Sequence, residues 1–163
     1  MTKTLLIVFH SMTGGTRQMA EAAWRAASAE DVTVRLLTAA EATPADLLGA
    51  DGYLFATPEN LAAMAGVMKD FFDRTYYPGL GRIEGRPHAL MVCAGSDGSG
   101  AVRQLSRIAT GWRLREVAEP IIVLTRAQTP EAILAPKTIA AEDLARCAEL
   151  GAALAAGLAL GIF

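Results

Sequence analysis

The chain has 163 residues, 52% of them hydrophobic, and a formal net charge of −2. That length suits one domain able to bury roughly 70% of its unfolded surface. The near-neutral charge excludes a global basic field for nucleic acid or anionic membranes, and it lacks the acidic excess of a small electron carrier that docks by charge. Two cysteines, Cys93 and Cys147, lie far apart with no CxxC, so no disulfide framework or thiolate metal site is indicated and a reducing, cytoplasmic setting is expected.

In chain order, Thr4–Phe9 (TLLIVF) is a continuous apolar run expected as a strand buried on both faces. Thr16–Ala29 carries Met19, Ala22, Ala23, Ala26 and Ala27 at helical spacing. Trp24 falls off that stripe and marks either a subunit contact or partial burial. Val32–Leu37 is a second strand. Thr43-Pro44-Ala45-Asp46 reads as a cap with proline in the first turn of a short helix. Gly52–Ala56 is the third strand, with Pro58 expected to stop it. Met64, Val67, Met68, Phe71 and Phe72 stripe the next helix, which should close before Pro78.

His88–Cys93 is the fourth strand, followed by a loop rich in glycine and serine and a helix from about Ala101 to Thr110. Ile121–Leu124 is the fifth strand, and a proline-punctuated connection leads to a last helix over Ala140–Leu160. The apolar tail LGAALAAGLALGIF is too short to span a membrane, so it is expected as a buried or dimer-packing helix. The start of the chain has no signal-peptide pattern. Five strands alternating with helices predict an α/β domain over residues 1–163, with a parallel sheet covered on both faces. Ligands of such sheets bind beyond the carboxyl ends of the strands, and three unusual loops sit there.

The first is Ser11-Met12-Thr13-Gly14-Gly15-Thr16. A strand, this turn and a helix place free backbone N–H groups at a helix N-terminus, where glycine allows close approach and three hydroxyls can donate. The set suits a phosphate monoester, although an ordinary helix cap reads similarly. It lacks GxxxxGK[ST] and GxGxxG, which argues against a nucleoside-triphosphate or dinucleotide loop. The second loop is Thr57-Pro58-Glu59-Asn60, which also reads as a helix start. The third is Ala94-Gly95-Ser96-Asp97-Gly98-Ser99-Gly100. Counting six on from Cys93 gives Ser99 and not arginine, so a phosphatase loop is excluded.

SMTGGT resembles the flavin mononucleotide (FMN) phosphate loop of flavodoxin-like flavoproteins. The stretch ATPENLAAMAGVMKDFFDRT is similar to that of NAD(P)H-dependent FMN reductases and quinone reductases of the tryptophan-repressor-binding-protein type. The resemblance implies a three-layer sandwich with strand order 2-1-3-4-5 and a bound FMN. It implies that Ser11, Met12, Thr13, Gly14, Gly15 and Thr16 hold the phosphate. By the same resemblance, Thr57, Pro58, Glu59, Asn60 and Leu61, with Ala94, Gly95, Ser96, Asp97, Gly98 and Ser99, line the flavin ring. The implied activity is NAD(P)H-dependent reduction of a quinone-like small acceptor, with no side chain as catalyst. The alternative is a flavodoxin-type carrier serving a protein partner.

Two departures matter. Neither ring-lining loop contains an aromatic residue, whereas flavodoxins stack aromatics on their flavin, and an uncovered ring face favours a reductase. The Asp73–His88 connection lacks the insertion of the tetrameric quinone reductases, so that assembly does not carry over, and a homodimer stays open. His10 could reach the phosphate or simply pack, while His88 begins a strand at the far edge. Arg103 and Arg107 could meet a nicotinamide cofactor's ribose phosphate or form a solvated face. Asp97 bonds the flavin edge or caps the next helix.

Overall fold

A computed structural model describes all of residues 1–163. Its element order is β1 (Thr4–Phe9), α1 (Gly15–Ala27), β2 (Thr33–Thr38), α2 (Pro44–Gly49), β3 (Gly52–Asn60), β4 (Ala63–Met64), α3 (Gly66–Gly79), β5 (Pro87–Ala94), α4 (Ser99–Gly111), β6 (Arg115–Glu116), β7 (Ile121–Leu124), α5 (Pro130–Leu134) and α6 (Ala141–Leu160). The five long strands lie in the order β2-β1-β3-β5-β7, all paired parallel. This is the expected order, but the sheet has seven strands and not five. The additions are two-residue pieces, β6 parallel beside the start of β5 and β4 antiparallel beside the end of β3.

Alternation along the buried strands makes two cores. Leu6, Val8, Tyr53 and Phe55 face α2, α3 and α4, meeting Leu47, Phe71, Phe72, Leu105 and Trp112. Leu5, Ile7, Phe9 and Leu54 face α1 and α6, meeting Met19, Ala23, Cys147 and Leu154. The C-terminal apolar run is therefore α6 laid on the sheet beside α1, and no helix is long and apolar enough to cross a membrane. Trp24 sits at 37% exposure on the outer side of α1. The cap of α2 follows from its sequence: Thr43 Oγ1 accepts from the Asp46 amide, and an Asp46 carboxylate oxygen accepts from the Thr43 amide.

Most boundaries shift by one or two residues from expectation, and three of the differences have a clear physical reading. Pro58 does not stop β3, which runs on to Asn60. Ala56 accepts from the His10 amide just past the end of β1, so the side of β3 facing β1 is already free of partner strand at Pro58, where the missing N–H costs nothing. Met64 belongs to β4, and α3 starts at Gly66. Pro78 sits inside the last turn of α3, which ends one residue later.

The β3–β4 hairpin turns on Leu61 and Ala62, both left-handed, with φ of 52° and 64°. Such two-residue turns favour Asn-Gly, and a side-chain-bearing residue in this region costs roughly 1–2 kcal/mol. The double substitution Leu61→Asn/Ala62→Gly is expected to raise the unfolding free energy by about 1–2 kcal/mol. Urea denaturation checks this, and an unchanged midpoint would mean the turn holds no strain.

Candidate functional site

Past Phe9 the chain leaves the sheet and turns through Ser11–Gly14 into α1. Gly14, at φ 97°, is the N-cap, and its amide donates to Ser11 Oγ at 3.1 Å. No side chain caps the helix. The amides of Met12, Thr13, Gly15 and Thr16 have no acceptor within the protein. Thr16 is 2% exposed and its Oγ1 is buried without a partner, which is unusual for a hydroxyl. Gly15 is closely packed: a Cβ there would come within 2.8 Å of Cys93 Sγ and force that side chain to shift. Burial pushes the Cys93 thiol up to about 11, so at neutral pH it is an uncharged wall.

Loops two and three are locked together by Glu59. Its Oε1 accepts from the Gly98 amide at 2.9 Å and its Oε2 from the Ala101 amide at 3.1 Å, closing the N-terminus of α4 from outside. Like α1, α4 begins at a left-handed glycine, Gly98 at φ 89°, with no cap from that residue. The two helices differ in one respect: a carboxylate of the protein accepts from two amides at the α4 end, whereas at the α1 end only the Gly14 amide has an acceptor, the neutral Ser11 Oγ.

These loops surround a cleft of about 530 Å³, within the range of small-molecule sites. Ser11, Met12, Thr13, Gly15, Thr16, Pro58, Glu59, Asn60, Leu61, Ala94, Gly95 and Ser96 all line it. The other predicted residues stand behind the wall. Gly14 makes the turn. Thr57 is fully buried, its hydroxyl donating to Pro58 O and accepting from the Ala65 amide. Asp97 accepts from the amide and hydroxyl of Ser99, the first residue of α4. Gly98 receives Glu59. His10 is half-buried at the end of β1, its pKa lowered by burial, and does not line the cleft. His88 is buried at the other end of the sheet. Arg103 and Arg107 are exposed on α4.

The fourth wall was not foreseen. Thr125, Ala127 and Gln128, just after β7, close the cleft with Ile133, Lys137, Ala62 and Cys93. The rule that found three loops beyond strand ends applies equally to the fifth strand, so Thr125 carried a signal. Lys137 carried none. Gln18 pins its segment, with Nε2 donating to Gly14 O and Lys137 O and Oε1 accepting from the Ile139 amide at 3.0 Å. No aromatic side chain lines the cleft, and Met12, Leu61 and Ile133 give its mouth apolar edges, all three well exposed.

A parallel α/β sheet with an open, uncapped helix end and a slot of this size defines a flavodoxin-like architecture. The chain matches the family model described as NADPH-dependent FMN reductase over residues 38–129; it belongs to that family. Among relatives, it is 37% identical to a flavodoxin of Aquifex aeolicus over 59% of this chain and 52% of that protein. It is 35% identical to an NAD(P)H dehydrogenase (quinone) of Acidithiobacillus ferrooxidans over 44% of this chain and 46% of that one. The chain thus spans about half the length of these two relatives. A flavodoxin structure from the domain Archaea superposes with a TM-score of 0.76 at 18% identity, covering 95% of this chain and 98% of that one.

Proposed function

We propose that residues 1–163 form one domain whose cleft binds FMN, and that the protein is an oxidoreductase that takes electrons from NAD(P)H and reduces a quinone-like small acceptor. The observation that carries this reading is the contrast between the two helix ends. The α4 terminus is neutralised by Glu59, whereas at α1 the first amides are free and Thr16, a cleft-lining residue, carries a buried hydroxyl with no partner. That donor set suits a phosphate dianion. It holds the phosphate while Pro58–Leu61 and Ala94–Ser96 orient the ring between them. When bound, FMN supplies the hydride and electron transfer. The chain's own part is to bind, orient and exclude water. With no aromatic side chain in the cleft wall, a ring face is free for a planar nicotinamide or quinone, and the apolar rim favours such partners over charged ones.

Removing the Thr16 hydroxyl separates ligand binding from folding. Thr16→Val deletes a buried unsatisfied donor, so the flavin-free protein should be as stable as wild type or up to about 1 kcal/mol more stable. FMN affinity should fall about tenfold. Fluorescence titration and urea melts measure the two. Unchanged FMN affinity would remove Thr16 from the phosphate site.

A second reading, a carrier serving a protein partner, is favoured by the flavodoxin relative. Anaerobic addition of NADPH to the FMN-loaded protein separates them. Bleaching of the flavin band supports the reductase, and an unreduced band supports the carrier.

A further inference from the structure

The open end of α1 has a cation beside it that its own loop does not contribute. Lys137 is 124 positions from Thr13, yet its amide donates to Thr13 O at 2.9 Å and its ammonium lies 3.3 Å from Thr13 Oγ1. The remaining donors go to Ile133 O at 2.8 Å and Ala135 O at 2.6 Å. Every partner of this ammonium is thus a neutral oxygen. Arg17, in the first turn of α1, is by contrast paired to Glu21 at 3.8 Å and stacked over Phe9.

The backbone of Lys137 is fixed on both sides, its amide by Thr13 O and its carbonyl by Gln18 Nε2, and the ammonium is carried on a flexible four-carbon stem. Gly15 lies directly beside it: a Cβ there would be in ordinary contact, 3.6 Å, with Lys137 Cβ. A lysine without a counter-ion therefore stands against free amides and a buried, unpartnered threonine hydroxyl. A dianion entering there would offer the ammonium charged oxygens in place of carbonyls, a stronger bond for the same donor.

We infer that Lys137 is the counter-cation of the phosphate subsite and the residue that makes this cleft prefer FMN to riboflavin. This rests on the flavin reading above. The lysine acts on the phosphate and has no part in electron transfer.

Titration of wild-type protein, Lys137→Met and Lys137→Arg with FMN and with riboflavin, across a range of salt, tests it. Lys137→Met should weaken FMN on the order of 10- to 100-fold while riboflavin binds as to wild type. Lys137→Arg should keep most of the FMN affinity. In wild type, FMN binding should fall with salt and riboflavin binding should not, a comparison that needs no variant to fold. Equal losses for both flavins would reduce Lys137 to a prop for its segment. No loss would exclude it from the phosphate. Either result overturns the inference while FMN binding by wild type stands. Wild type that binds neither flavin ends the flavin reading itself, and the inference with it.

Discussion

Replacing Gly151 by alanine is expected to lower the unfolding free energy by about 3 kcal/mol, the upper end for overpacking. At this chain length that is about 6–12 °C in melting temperature. Gly151 sits mid-way along α6 where the helix crosses α1, and a Cβ there would overlap the Ala23 carbonyl oxygen and lie 2.7 Å from Ala23 Cα. Most overpacked sites relax by turning a side chain. Here the obstacle is helix backbone, so α1 and α6 would have to separate, opening the layer that holds Met19, Ala23 and Leu154. Separation would also shift the start of α1, so FMN affinity should fall with stability. Gly49→Ala is the control. Nothing lies within 4 Å of that position, and the substitution should stabilise by about 0.5–1 kcal/mol. Calorimetry of the two variants decides, and a Gly151→Ala melt matching wild type would show that the helices are not in backbone contact.

How much of this was legible depended on how local the physics is. The β1 run Thr4–Phe9 and the Thr43–Asp46 cap were readable because a buried strand and a helix start are set by neighbours in sequence. Gly14 and Gly15 pointed to a turn for the same reason, and the helix end they leave open is the centre of the site. The β3–β4 hairpin was missed because Leu61 and Ala62 carry none of the residues that usually mark a left-handed turn; tertiary contacts enforce it, with Gly100 packed against Ala62 O. Lys137 was invisible because its place depends on Gln18 bridging 119 positions. The family resemblance implied Glu59 at the flavin ring, and it lines the cleft. Its clamp on Gly98 and Ala101 was not foreseen, since two amides about 40 residues away give no sign in sequence of what they face.

Glu59 yields the other large effect, because one carboxylate serves two amides and joins two walls of the cleft. Glu59→Ala leaves the Gly98 and Ala101 amides without their acceptor at a partly buried helix end. Each bond to a charged group contributes about 1.5–3 kcal/mol, and water recovers part of that, so a net loss of about 3 kcal/mol is expected. Glu59→Gln is the sharper test. It keeps size and shape and retains one carbonyl oxygen, but turns an NH2 toward the other N–H and removes the charge that complements the helix end. The loss should be about 2 kcal/mol, read by urea denaturation of flavin-free protein. Glu59→Asp, too short to span both amides, should fall between. Because the Gly98 turn carries Ala94–Ser96 and the hairpin carries Asn60 and Leu61, all three variants should weaken FMN and riboflavin alike, unlike the phosphate-side variants, which spare riboflavin. If Glu59→Gln melts like wild type yet slows NADPH oxidation, the clamp account is wrong and the carboxylate is acting on the bound ligands instead.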